Sequence, residues 1–147
     1  MTDLEDIVEA FELLGDWESR YQYLIELGEN LPEMPEANRT EERRVKACMS
    51  KVWTRAHPDP VDSNRICFEG ECDTAVIKGV LALLIELTSG KTVQEIQQLD
   101  LDEVFERLRL GEHLSPNRHV GVYAIVDLMK QQATALAAGQ SVQLASA

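Results

Sequence analysis

The chain has 147 residues, of which 44% are hydrophobic and 27% charged. A chain of this length fits one ordinary globular domain that buries its core without needing disulfides or metal. The formal net charge of −12 and the sequence pI near 4.6 argue against a nucleic-acid partner, because phosphates would be repelled.

The charge is unevenly distributed along the chain. Residues 1–38 carry eleven Asp and Glu against the single base Arg20, whereas residues 39–65 hold seven of the fourteen basic residues. Cys48 lies inside this basic segment. A solvated surface explains such a segment as well as a binding role does.

The first residues, Met-Thr-Asp-Leu-Glu-Asp, are acidic where a signal peptide is basic. The longest apolar stretch, residues 75–87, is interrupted by Lys78 and Glu86 and is too short to cross a bilayer. We therefore expect a cytoplasmic protein without a membrane partner, whose cysteines are reduced. The three cysteines form no C-x-x-C pair, so neither a closed zinc site nor another metal centre is expected.

Two helices are predicted first. Thr2 and Glu5 have capping-box spacing ahead of apolar residues at helical intervals, and Gly15 would end this helix. Asp16 would cap the second helix, and Gly28 would end it. Residues 31–38, which include two prolines, indicate a loop.

The pattern then changes to one typical of strands. Residues 44–57 and 65–70 are rich in β-branched and aromatic residues, and a turn cluster separates them. The simplest arrangement is a short antiparallel sheet. A break near Cys48 would give it three strands, with Cys48 at a tight turn.

The second half is predicted to be helical. Residues 75–87 are apolar nearly all round, which is typical of a buried helix ending near Gly90. Thr92 and Glu95 form another capping box, and residues 102–109 are amphipathic. Ser115 precedes a proline at the first position of a last helix, which we expect to end near Gly139. Residues 140–147 would then be a frayed tail beyond a single domain of residues 1–139.

Cys48 is the leading candidate for chemistry. A thiolate is the nucleophilic form of cysteine, and neighbouring bases such as Lys46 and Lys51 lower a thiol pKa. A buried, inert cysteine is the competing interpretation. Cys67 lies in a predicted strand and Cys72 between two carboxylates that would raise its pKa, so both are expected to be structural.

A Cys–His hydrolase is a second possibility on residue types alone. His57, His113 and His119 could each serve as a general base. Three histidines in a chain of this size need no special role, and the signal is weak.

Five short segments, in order along nearly the whole chain, resemble those of the SufE-type sulfur acceptors, a family that includes CsdE. They are residues 11–21 (FELLGDWESRY), 24–28 with 31–32 (LIELG and LP), 47–53 (ACMSKVW), 70–79 (GECDTAVIKG) and 114–121 (LSPNRHVG). The resemblance places the sulfur-accepting cysteine of the family on Cys48 and makes Arg118 a secondary site candidate. Ala47 replaces the usual glycine before that cysteine, which would alter the loop if its backbone needed a positive φ.

The resemblance implies an α+β fold with helices packed around a short antiparallel sheet. It also implies that the chain accepts sulfur as a persulfide on Cys48, activates a pyridoxal-phosphate cysteine desulfurase, and passes the sulfur to an iron–sulfur scaffold. The chain itself would need no cofactor and would be a carrier more than a stand-alone enzyme. The rivals are the Cys–His hydrolase and a regulatory module that carries no sulfur. The oligomeric state, a homodimer included, is left open.

Overall fold

A computed structural model describes residues 3–146, with side chains described for residues 3–139. Within this range the chain forms an α+β domain of six helices and a two-stranded antiparallel sheet. The elements are α1 Leu4–Leu14, α2 Trp17–Glu29, β1 Val52–Pro58, β2 Ile66–Cys72, α3 Ala75–Thr88, α4 Val93–Gln97, α5 Leu101–Leu108 and α6 Pro116–Ser146. None of the helices in the described range combines the length and the apolar character needed to cross a membrane.

Helix α3 is the centre of the hydrophobic core. Ten of its fourteen residues are buried, as the sequence predicted from its apolar character. Helix α2, strand β2 and helix α6 pack against it. Because its leucines and isoleucines are almost fully removed from water, and each contributes roughly 1.5–3 kcal/mol on burial, α3 contributes more apolar stabilisation than any other single element.

Glycines allow α2 and α3 to approach each other closely. A Cβ added at Gly79 would lie 2.0 Å from the carbonyl oxygen of Leu24, and one added at Gly28 would lie 2.9 Å from the Gly79 nitrogen. The prediction that Gly28 ends α2 is therefore wrong. The helix continues through Gly28 to Glu29, and the glycine serves the helix crossing instead.

Most of the predicted helix starts are confirmed. Asp16 accepts a hydrogen bond from the Ser19 amide at the start of α2, and Thr92 with Glu95 forms the capping box of α4. Helix α1 begins differently, because Asp3 and Asp6 form its capping box rather than Thr2 and Glu5. Thr2 itself lies outside the described residues.

The sheet has two strands, so the prediction of a third strand is wrong. The chain approaches the sheet from a short 3-10 helix, Glu41–Arg43, and makes one bridge, from Arg44 to Trp53. The Val45 amide then donates a hydrogen bond to the Val52 carbonyl at 2.8 Å, after which the chain turns away from β1. With only two residues alongside β1, no ladder forms.

Helix α6 packs across the outer strand β1. The Gln132 side chain donates to the Thr54 carbonyl at 2.7 Å and accepts from the Thr54 hydroxyl at 3.0 Å, which satisfies the polar groups of this fully buried threonine. The helix extends to Ser146, past the expected end near Gly139. The frayed tail stays a prediction, since Ala147 and the side chains of residues 140–146 lie outside the description.

Candidate functional site

The loop of residues 46–51 carries Cys48 at the edge of a surface cleft. Cys48 is half-buried and packs against the hydrophobic core. The cleft, of about 250 Å³, is called the Cys48 cleft below and is lined by Cys48, Met49, Ser50, Ile77, Ser115, Asn117 and Arg118. It thus lies where this loop meets the start of α3 and the start of α6.

Hydrogen bonds to the turn before α3 hold the second half of the loop. The Ser50 hydroxyl lies 2.7 Å from the Thr74 hydroxyl, and the Lys51 amide donates to the Asp73 carboxylate at 2.9 Å. The Asp73 amide donates back to the Lys51 carbonyl at 3.2 Å. The loop is therefore fixed on both sides of Cys48, by Val45 before it and by residues 50–51 after it.

The Cys48 side chain rests against α6 at Gly121. A Cβ added to Gly121 would lie 2.9 Å from the Cys48 sulfur. Gly121 is buried, and its lack of a side chain leaves the space that the thiol occupies. The thiol is thus sheltered on its α6 side while it borders the cleft on another.

The basic residues near Cys48 differ in their pairing. Arg118, in the first turn of α6, is exposed and forms no ion pair with any carboxylate described in residues 3–139. Lys46 is instead paired with Glu41, whose carbonyl also accepts from it at 2.8 Å. Lys51 is exposed and does not line the cleft. The structure therefore brings Arg118, rather than the lysines, together with Cys48.

The other two cysteines are in less reactive surroundings. Burial raises the pKa of Cys72 to about 11, since only 5% of the residue is exposed. Burial also raises the pKa of the Cys67 thiol, which contacts the Asp59 carboxylate at 3.5 Å. Both thiols are therefore protonated near neutral pH, and all three cysteines are free thiols.

Ala47 fits the loop without strain. Arg109, which caps α5, is the one non-glycine residue with a positive φ among those described. The backbone at residue 47 therefore does not need the glycine that the family usually has there.

None of the three histidines lines the Cys48 cleft. His113 stacks on Trp17 with ring centroids 3.4 Å apart, and the His119 ring lies 5.1 Å from that of Phe105. His57 is in β1, where its Nδ1 lies 3.2 Å from the Pro58 carbonyl. Because no histidine lines the cleft, Cys48 has no imidazole base there. Within the described chain, no three His, Cys, Asp or Glu residues are grouped as metal ligands would be.

Sequence reasoning missed several residues of the site. Thr74 and Asp73 anchor the loop, and their role depends on a contact between distant parts of the chain that no local pattern reveals. Gly121 offered a signal, because a glycine inside a predicted helix is unfavourable and often has a packing reason. Ser115 was predicted as a helix cap and also lines the cleft.

Fold and cleft together define a small α+β protein in which a half-buried cysteine and an arginine without an ion pair among the described residues line one cleft. The family model described as "SufE: Fe-S metabolism associated domain" matches residues 5–133. The chain is 40% identical over 134 residues to an uncharacterized SufE-like protein of Rhizobium meliloti (strain 1021), covering 90% of this chain and 96% of the relative. A SufE-like protein of Rhizobium etli is 40% identical over 139 residues, with 94% of each chain covered.

The chain therefore belongs to the SufE family, whose domain is associated with iron–sulfur metabolism. A solved structure supports the fold: the solution structure of a hypothetical protein from Thermus thermophilus superposes with a TM-score of 0.74. That match covers 90% of this chain and 94% of the other at 21% sequence identity, and it bears on the fold alone.

Proposed function

We propose that this protein is a cytoplasmic sulfur acceptor that activates a pyridoxal-phosphate cysteine desulfurase and carries sulfur as a persulfide on Cys48. The observation that carries the proposal is the position of Cys48 at a cleft beside Arg118, which has no ion pair within residues 3–139, in a chain of the SufE family. The protein acts as a carrier, and the cofactor belongs to the desulfurase.

The transfer step needs only thiolate chemistry. The desulfurase holds the outer sulfur on its own cysteine as a persulfide. The Cys48 thiolate attacks that outer sulfur, the S–S bond breaks, and the cysteine of the desulfurase leaves as a thiolate. Cys48 now carries the persulfide, and a second attack by a thiolate of an iron–sulfur scaffold passes the sulfur on.

The surroundings of the three thiols favour Cys48 for this step. The pKa values of Cys67 and Cys72 are raised, so their thiolate fractions are small near pH 7. Cys48 borders an open cleft whose one charged lining residue is Arg118. A positive charge there attracts the anionic sulfur of an incoming persulfide.

The hydrolase alternative lacks support, since no histidine lines the cleft to activate the thiol. A regulatory module that carries no sulfur remains the rival. The two differ in one respect: a carrier needs the Cys48 sulfur and a regulator does not.

Replacing one thiol at a time tests the proposal. We expect Cys48→Ser to abolish stimulation of sulfide release by the partner desulfurase, while Cys67→Ser and Cys72→Ser retain it. The protein recovered after incubation with desulfurase and cysteine should carry one extra sulfur atom on Cys48, seen by mass spectrometry under non-reducing conditions. Full stimulation by the Cys48→Ser variant would refute the carrier mechanism in favour of the regulator.

A further inference from the structure

We propose that Gly121 is a positioning residue that holds the Cys48 thiol in its sheltered position by leaving space for the sulfur atom. This inference deepens the proposed sulfur-acceptor function, and the functional importance of Gly121 rests on that proposal. The geometry itself does not depend on that function. The inference is that, before any partner binds, the thiol lies against Gly121 rather than displaced toward the Cys48 cleft.

The contact between the two residues is short and direct. A Cβ on Gly121 would lie 2.9 Å from the Cys48 sulfur, 3.5 Å from its Cβ and 3.7 Å from its Cα. Real Cβ atoms essentially never approach a heavy atom within 3.0 Å. The three nearest atoms all belong to Cys48, so Cys48 is the closest neighbour of the space at Gly121.

The backbone of α6 gives no other reason for a glycine at this position. Glycine is among the least favourable residues inside a helix, since it loses the most conformational freedom on folding. Gly15 and Gly90 adopt a positive φ, but Gly121 does not. Alanine would therefore suit the helix better, and the space for the thiol is the remaining explanation.

A side chain at residue 121 would move the thiol rather than the helix. The nearest atom is the end of a short side chain on a loop, whereas α6 packs along its length against α3, α4 and β1. The loop stays attached through Val45, Ser50 and Lys51. We therefore expect Gly121→Ala to displace the Cys48 sulfur toward the Cys48 cleft and solvent while the fold is retained.

Alkylation of Cys48 by iodoacetamide reads out this displacement. Peptide mass spectrometry measures the rate at Cys48 separately from Cys67 and Cys72 without further substitutions. We expect Gly121→Ala to raise the Cys48 rate at least about fivefold, because a larger fraction of molecules then has an accessible thiol. Gly139→Ala is the matched control: it lies in the same helix with nothing within 4 Å of an added Cβ, and it should leave the rate unchanged. An unchanged or lower rate in Gly121→Ala would overturn the proposal.

A thermodynamic cycle covers the case in which Gly121→Ala folds poorly. Removing the sulfur with Cys48→Ala removes the clash, so Gly121→Ala should raise the melting temperature in that background as Gly139→Ala does. In the Cys48 background the same substitution should give a lower melting temperature than expected from helix preference alone. An equal effect in both backgrounds, or failure to fold in both, would place the constraint elsewhere and contradict the inference.

The two proposals fail in distinguishable ways. If Cys48→Ser retains desulfurase stimulation but Gly121→Ala speeds alkylation, the sulfur-acceptor function is wrong and the positioning role of Gly121 stands. If Cys48→Ser abolishes stimulation but Gly121→Ala leaves alkylation and the cycle unchanged, the positioning role alone is wrong.

Discussion

At the residue scale, the proposed sulfur transfer depends on one sulfur and one positive charge. Cys48 borders the cleft and Arg118 is the charged residue that lines it. Arg118 sits near the start of α6, where its amide donates to the Ser115 hydroxyl at 3.4 Å and to the Ser115 carbonyl at 3.0 Å. The partial positive charge of a helix N-terminus adds to that of the guanidinium.

We predict a modest electrostatic role for Arg118. The side chain is exposed, and exposed charge pairs contribute about 0.2–1 kcal/mol, which corresponds to a change in rate of about 1.4- to fivefold. Arg118→Ala should therefore slow the transfer of sulfur to Cys48 by roughly this factor, measured in single-turnover experiments with persulfide-loaded desulfurase.

Two controls separate charge from structure at this position. Arg118→Lys keeps the charge and should retain most of the rate, and the deficit of Arg118→Ala should shrink as salt is added. The melting temperature of Arg118→Ala should stay near that of the unmodified protein, since the guanidinium has no ion pair in the described chain. A melting temperature that falls together with the rate would mean that the residue is structural.

At the scale of elements, the crossing of α2 and α3 sets the position of the site. Helix α3 begins directly after Thr74, which contacts the loop through Ser50. Its place in the fold depends on the close approach at Gly28 and Gly79. The two glycines therefore help to position a loop that they do not touch.

We predict that Gly79→Ala strongly destabilises the protein. The added Cβ would meet the Leu24 carbonyl oxygen at 2.0 Å, and this backbone atom cannot move without separating the helices. Overpacking of this kind costs roughly 3 kcal/mol in the free energy of unfolding, which outweighs the gain of about 1 kcal/mol from helix preference. Urea unfolding measures the change.

The matched control for Gly79→Ala is again Gly139→Ala, where an added Cβ meets nothing and the free energy of unfolding should not fall. If Gly79→Ala proves neutral or stabilising, the helices are not in contact as closely as the structure has them.

Among the elements, helix caps are the feature that local sequence patterns predict well. The caps at Asp16 and Thr92 were predicted because a cap is made by residues three positions apart. The third strand and the end of α2 at Gly28 were wrong because both depend on distant partners. The segment before Cys48 has strand-forming residues but leaves β1 after Val45, and Gly28 is a helix-crossing residue rather than a stop.

The site, too, is formed by contacts between distant segments, which the sequence alone does not predict. The chemistry of thiols indicates Cys48 as a candidate site residue, and the resemblance to a family indicates Arg118 as a second one. Their placement in one cleft follows from the packing of α6 beside the loop, which no periodicity encodes. Gly121 and Thr74 took on a role only once that packing was known.

At the scale of the whole molecule, the acidic surface and the cleft are formed by different parts of the chain. Residues 1–38, which carry the excess of Asp and Glu, contribute no residue to the lining of the Cys48 cleft, and none of its lining residues is acidic. Met49 projects beside Cys48 with 85% of its surface exposed. An apolar side chain so exposed beside the proposed sulfur acceptor suits contact with a partner protein.

We predict that docking of the desulfurase releases Cys48 from its sheltered position. Sulfur transfer requires contact between two sulfur atoms, yet the Cys48 sulfur rests against Gly121 in the isolated protein. A partner shifts such an equilibrium only by binding one position better than the other. Cys48 alkylation should therefore be slower in the free protein than in an unfolded chain at the same pH, and a desulfurase whose own active-site cysteine has been replaced should change that rate.

A substitution at Met49 distinguishes docking of the desulfurase at the cleft from a nonspecific effect of added protein. Met49→Ser should raise the concentration of desulfurase needed to change the Cys48 rate, because an apolar contact is lost at the edge of the cleft. Leu13→Ser is the matched control, since Leu13 is 88% exposed but lies on α1, which does not line the cleft. It should behave as the unmodified protein does. If free Cys48 already reacts like an unfolded thiol and the desulfurase makes no difference, the loop is open at all times and no release takes place.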